Sequence, residues 1–386
     1  MVEAVRAGEG VRAVARRLGV SPGAVLYWAK RSAGTRVDRF DFEDRARGPR
    51  RPWNRTASQT EQRVLSMRRD LRTEDILGEF GAPAIHRAML ERGEPSTPSP
   101  ATIGRILKRH GAIDAWRRQR RPAPRRGWYL PAVATGQAEL DSLDLIEELK
   151  LQGGPQFSVL TAISLHGHCA DAWPRISVGA RDVGDCLIAR WRALGLPHFA
   201  QFDNDTRFQG AHQFADTVGR VSRLCLSLGV IPVFATPLEH GFQNAIESFN
   251  GLWQAKVWQR FHFCDLPALQ AHSERYIRMH RQRNASNEES APARGPFPEG
   301  WHFDLDAPLT GTLIYLRRTN ARGELTLLGH RWAVDPHWVH RLVRCEVHLS
   351  QQRILCFALR RRDPADQPLL AEIQYQRPNK PFKGSK

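Results

Sequence analysis

Three acids could do chemistry together if the fold brings them to one point. Asp141 follows an alternating stretch that reads as a strand, and Asp203 ends the short apolar run Phe199 to Phe202, just before a turn. Glu247 lies in a helical pattern in which Phe242, Ile246, Phe249 and Trp253 recur at three- and four-residue steps. Two strand ends and a helix can converge. Carboxylates so arranged suit Mg²⁺ or Mn²⁺, hard cations that take oxygen ligands and keep several waters. Two such ions about 4 Å apart can activate an attacking oxygen and stabilise a leaving one in phosphoryl transfer. With 40 Asp and Glu in the chain, chance triples are many. The residues around the acids therefore have to decide.

Charge narrows the partner. The 386 residues carry a formal net charge of +17, which favours a polyanion, and nucleic acid is the first choice. No apolar run approaches the length of a membrane helix, and the N-terminus lacks a signal-peptide core. Cys169, Cys186, Cys225, Cys264, Cys345 and Cys356 form no CxxC pair, which argues against a disulfide framework and a cysteine zinc site and predicts a reducing cytoplasm.

The elements that must position the acids follow from periodicity. Residues 1–31 read as a helix-turn-helix unit: Val11, Val14, Ala15 and Leu18 share one helix face, Gly19 ends it, and Ser21-Pro22 starts the next. Residues 32–57 read as a linker. Residues 58–111 read as a second helix-turn-helix or winged helix, with Arg105, Lys108 and Arg109 outward on its last helix. Residues 112–130 read as an extended basic linker that tracks a DNA backbone through Arg117, Arg118, Arg120, Arg121, Arg125 and Arg126. Residues 131–295 hold strands and then alternating strand and helix, an α/β core with a mixed sheet. One helix is predicted over Phe214 to Leu228. Lys256 and Arg260, past Glu247 on its helix, are candidate DNA grips. Residues 296–365 show short strands at roughly ten-residue spacing, as in a small β-barrel, and residues 366–386 read as a flexible tail.

Taken together, the chain resembles insertion-sequence transposases with a retroviral-integrase-type core. The residues that carry this are Phe202-Asp203-Asn204-Asp205-Thr206-Arg207-Phe208 and the stretch from Pro237 through Asn244-Ala245-Ile246-Glu247-Ser248-Phe249-Asn250. The resemblance implies a multidomain chain: N-terminal helix-turn-helix units, an RNase H-like core and a C-terminal barrel. It also implies an Asp-Asp-Glu triad, here Asp141, Asp203 and Glu247, holding two Mg²⁺ or Mn²⁺ ions. The implied enzyme nicks element ends in double-stranded DNA and joins the 3′-OH to a target. It works as a homo-oligomer on DNA in a bacterial cytoplasm, away from membranes. The alternatives are an inactive DNA-binding regulator and a nuclease with the same core. The chain departs from the family in three ways. Asp205 stands where the family has Gly. The gap between the second and third acids is long. Asp144, three residues past Asp141, is an alternative first ligand; the preceding Gln137-Ala138-Glu139-Leu140 favours Asp141 as the strand residue.

Overall fold

The computed structural model describes residues 1–44, 56–113, 127–211, 214–237, 239, 241–361 and 363–378. The basic run 117–126 and His240 lie outside the described residues. Met1–Gln62 and Arg63–Lys386 form two compact units.

In the first unit, α1 (Val2–Arg6), α2 (Val11–Leu18) and α3 (Pro22–Arg31) pack around Val14, Ala15 and Val25. Gly19 caps α2 at a φ of 64°, a left-handed conformation that glycine adopts without steric cost. The Ser21 hydroxyl accepts from the Ala24 amide at 3.2 Å to start α3. The expected linker is ordered in its first part. Phe42 packs on Trp28 at 5.8 Å between ring centroids, and the Arg31 guanidinium donates to the Glu43 carbonyl.

The second unit begins inside α4 (Ser58–Glu74) and continues with α5 (Ala82–Glu91) and α6 (Pro100–Arg109), packed around Val64, Met67, Ile85, Met89, Ile103 and Ile106. Next come α7 (Pro131–Ala134), β1 (Leu140–Lys150), β2 (Gln156–Ser164), β3 (Ala170–Arg175), α8 (Ala180–Leu194), β4 (Phe199–Phe202), α9 (Thr206–Gln209), α10 (Arg220–Ser227) and β5 (Ile231–Phe234). Then α11 (Asn244–Trp253) runs into a π-helical turn, Gln254–Trp258, and is followed by α12 (Leu266–Arg283) and α13 (Ala285–Ser290). The strands β6 (Thr312–Arg318), β7 (Glu324–Leu327), β8 (His330–Ala333), β9 (Leu342–His348), β10 (Arg353–Ala358) and β11 (Leu369–Gln374) complete the described elements.

Within the expected core the strand order is β3-β2-β1-β4-β5. β1, β2 and β3 are antiparallel neighbours, while β4 and β5 run parallel to β1. This mixed α/β sheet agrees with the RNase H-like expectation. One face carries α8 and α10 over Leu143, Phe202 and Phe234. The other carries α11 and α12 over Ile146, Val159 and Ile163.

Four expectations are corrected. The C-terminal strands do not close a separate barrel. β6 pairs in parallel with β5, with Val233 opposite Ile314, and β9, β10 and β11 extend the same sheet; β7 and β8 form a two-stranded sheet of their own. The gain is physical: β5 would otherwise present a bare edge, and Tyr315 stacks on Phe234 at 5.0 Å. The expected tail contains β11, paired with β10. The helix expected over 214–228 begins only at Arg220, because Gly210 and Gly219 meet backbone to backbone; a Cβ on Gly210 would lie 2.7 Å from the Gly219 Cα. Finally, the stretch expected to be an extended linker ends at the core: Trp128, Tyr129 and Leu130 are buried, and Trp128 stacks on Phe242 at 5.7 Å.

Candidate functional site

β1 holds both candidate first acids, and its pleat separates them. Side chains alternate along a strand, so residues an odd number of steps apart face opposite ways. Asp141 faces the α8 layer. It is fully buried and accepts from Arg190 Nε at 3.0 Å, Arg190 Nη2 at 3.1 Å and the Trp191 indole N–H at 3.1 Å, and it pairs with Arg294. Burial alone would raise its pKa. The Arg190 and Arg294 guanidiniums outweigh that and hold the carboxyl well below the usual carboxylate range. Asp141 is therefore one member of a buried ion cluster, which also includes Asp171 between Arg190 and Arg281. The expectation that Asp141 meets Asp203 and Glu247 is corrected: its side chain is spent on the opposite face.

Asp144 faces the layer of α11. β1 and β4 pair with Ser142 opposite Gln201, so two residues on, Asp144 comes level with Asp203. Its Oδ1 accepts from the Leu145 amide at 2.9 Å, and its Oδ2 accepts from Asn250 Nδ2 at 2.8 Å. Asn250 is in turn fixed by Thr161, whose hydroxyl donates to Asn250 Oδ1 at 2.7 Å; Thr161 sits directly opposite Asp144 on β2. Glu247 and Asn250 are three apart on α11, hence on one helical face. Burial pushes the Asp144 carboxyl up to about 6, and the neighbouring charges of Asp203 and Glu247 add to the rise. Burial also raises Asp203, whose Oδ1 accepts from the Asp205 amide at 3.0 Å. Asp144, rather than Asp141, thus lies on the face of the sheet where it feels the charges of Asp203 and Glu247.

The remaining candidates fall into place individually. Asp205, the departure from the family glycine, caps α9 through the Arg207 amide at 2.7 Å and pairs with the Arg207 guanidinium, which also reaches Glu147. Asn204 donates to the Ala235 carbonyl at 2.6 Å and ties the ends of β4 and β5 together. Arg105, Lys108 and Arg109 lie exposed on α6. Lys256 and Arg260 are engaged inside the molecule: Lys256 Nζ donates to the Gly78 carbonyl at 3.0 Å, and Arg260 donates to the carbonyls of Arg72, Thr73 and Asp75. The last carbonyls of a helix have no intrahelical partner and attract cations, so the C-terminus of α4 draws Arg260, while Lys256 closes on the turn just past it. Thr161, Arg190 and Arg294 carry no motif, and sequence reading missed them. The strand parity of Asp141 and Asp144 was readable, although the face that α11 would cover was not.

As the side chains stand, no three His, Cys, Asp or Glu among the described residues are drawn together tightly enough to hold an ion. The donor set nonetheless fits a hard divalent cation: three carboxylates from β1, the end of β4 and α11, with Asp144 raised by burial and by the other two acids. A pH dependence follows. The raised Asp144 pKa means that the folded protein holds the proton more tightly than the unfolded chain. The associated stability is present below about pH 3.8 and is lost as pH rises through about 6. At about 1.4 kcal/mol per pH unit, that loss amounts to about 3 kcal/mol. A divalent ion held there would compete with the same proton. Mn²⁺ affinity measured by calorimetry is therefore expected to fall steeply below about pH 6 and to level off above it. A flat profile from about pH 5 to 8 would remove Asp144 from the ligand set.

No known family model matches the sequence. The chain is similar to one from the cryo-EM structure of the simian T-cell lymphotropic virus intasome in complex with PP2A regulatory subunit B56 gamma: 13% identity, 67% of this chain and 87% of that one covered, TM-score 0.35. It is also similar to the HTLV-2 integrase catalytic core domain in complex with magnesium, at 11% identity over 41% of this chain and 87% of that one, TM-score 0.29. For the BIV integrase catalytic core the identity is 14%, the shares are 36% and 80%, and the TM-score is 0.26. Likenesses this faint decide nothing about chemistry.

Proposed function

We propose that this chain is a divalent-metal-dependent polynucleotidyl transferase that nicks and joins double-stranded DNA, in the manner of a transposase or integrase, with Asp144, Asp203 and Glu247 as the metal-holding acids. One observation carries the reading: Asp144 on β1 comes level with Asp203 past β4, and its carboxyl feels both Asp203 and the α11 acid Glu247. The net charge of +17 supports a polyanionic substrate. In this reading the chain acts as a homo-oligomer on paired DNA ends.

The chain's own residues do the positioning. Asn250 and the Leu145 amide fix the rotamer of Asp144, and Thr161 fixes Asn250. The Asp205 amide orients Asp203. Glu247 is exposed in the first turn of α11, where incoming substrate would reach it. Mg²⁺ or Mn²⁺, two ions in this scheme, would supply activation of the attacking oxygen and stabilisation of the leaving one. The exposed α6 face with Arg105, Lys108 and Arg109 would hold phosphates.

The test uses the full chain with duplex DNA carrying its flanking ends and Mg²⁺ or Mn²⁺. Glu247→Gln is expected to remove nicking and joining while duplex binding, measured by anisotropy, survives. Joining at the wild-type rate by that variant would overturn the assignment. Wild-type duplex binding with no ion uptake would instead mark a DNA-binding regulator.

A further inference from the structure

We propose that Lys256, Arg260 and Gly78 are positioning residues for Glu247. They form a clasp that fixes α11 to the turn between α4 and α5, and so tie the 63–111 helices to the catalytic helix. The proposal rests on the function proposed above.

The clasp begins where α11 changes geometry. Past Trp253 the helix widens into the π turn, closed by the Gln259 amide donating to the Gln254 carbonyl at 2.8 Å. One extra residue per turn rotates whatever follows about the helix axis. Lys256 and Arg260 both emerge on the side of the 75–80 turn. There they satisfy the Arg72, Thr73, Asp75 and Gly78 carbonyls, of which Arg72 and Thr73 belong to the last turn of α4.

The turn is built to receive them. Gly78 sits at a φ of +60°, which L side chains rarely adopt, and a Cβ there would lie 2.9 Å from Lys256 Cδ and 3.0 Å from Arg260 Nη1, so a side chain there strains the turn and crowds both bases. The Asp75 carboxylate accepts from the Glu79 amide at 2.7 Å and holds the turn in shape. The Phe80 ring takes Arg68 on its face at 4.9 Å and Lys256 at 5.9 Å. Ile76 and Leu77 pack into the apolar cluster beneath α11, the one that contains Ile246, Phe249, Trp253 and Val257. Glu79 adds an ion pair to Arg283 on α12 at 3.5 Å. The turn therefore touches the Glu247 helix through its core face and through its C-terminal continuation at once. With α11 held at its far end, the position of Glu247 relative to Asp144 depends on the clasp.

The experiment compares wild type with Arg260→Ala, Arg260→Lys and Gly78→Val. Hydrogen exchange is read first, without DNA or metal. Amides of Ile246 to Asn250 are expected to exchange faster in Arg260→Ala and Gly78→Val, with α8 amides unchanged and Arg260→Lys partly restored. On DNA, turnover is expected to fall about 100-fold for a misplacement near 1 Å, with duplex affinity unchanged. Unchanged α11 exchange in both variants would overturn the proposal, as would equal acceleration in α8, which would signal general loosening. If wild type shows no turnover, the functional reading fails, and exchange alone still decides the clasp.

Discussion

Asp144→Asn is expected to abolish nicking and joining and to remove calorimetric Mn²⁺ binding, with duplex binding intact. The substitution keeps the side-chain shape but deletes a ligand charge, and its NH2 replaces one of the two oxygens that accept from the Leu145 amide and Asn250 Nδ2. Lewis-acid stabilisation at such a site is worth several kcal/mol, so turnover should fall on the order of a thousandfold. The parallel variant is decisive. Asp141→Asn changes a carboxylate on the other face of the sheet, buried under Arg190 and Trp191. Molecules of that variant that fold should take up Mn²⁺ with wild-type affinity. If Asp141→Asn loses ion binding while folded and Asp144→Asn keeps it, the site is wrongly built.

Much of this was legible in the chain. The strand Phe199 to Phe202 falls at the expected residues, and Glu247 sits on a helix as the three- and four-residue spacing requires. Ser21-Pro22 starts a helix because the hydroxyl accepts a first-turn amide and proline suits the first helical position, and Ser99-Pro100 repeats the device at α6. Non-local choices could not be read. Asp141 and Asp144 both belong to β1, and only the placement of α8 and α11 decides which of them is buried with arginines. Nothing local in Arg190 says that it will enter the core. Strand spacing in 296–365 is that of a small barrel, but spacing does not reveal that the first strand will cover the edge of β5. Lys256 and Arg260 look like a solvent-facing basic pair until the end of α4 and the turn after it bring free carbonyls against them. In each case the deciding partner lies far away in sequence: 49 residues for Arg190 and Asp141, 178 for Lys256 and Gly78.

The largest stability effect is expected at Asp141. Its carboxylate answers two guanidiniums, and the Arg190 side chain is wholly buried. Because its pKa is lowered on folding, the stability it contributes is present above the unfolded carboxylate pKa and is lost only as pH falls through the much lower folded value. At neutral pH, Asp141→Asn leaves Arg190 with Asp171 alone as its charge partner among the described residues. Removing one partner of a buried pair costs about 3–5 kcal/mol, because the other charge cannot return to water. Against a total of roughly 5–15 kcal/mol, that is a large share of the unit's stability. Urea unfolding of the two variants should separate the roles of the two acids: a strong fall in midpoint for Asp141→Asn, and a much smaller change for Asp144→Asn, where one lost hydrogen bond to Leu145 or Asn250 is set against removal of a carboxylate held at a raised pKa beside two other acids. A rise in midpoint for Asp144→Asn would follow from the same electrostatics. A midpoint for Asp141→Asn equal to wild type would mean that the arginine cluster does not hold this face of the sheet, and that the carboxylate is available for other work.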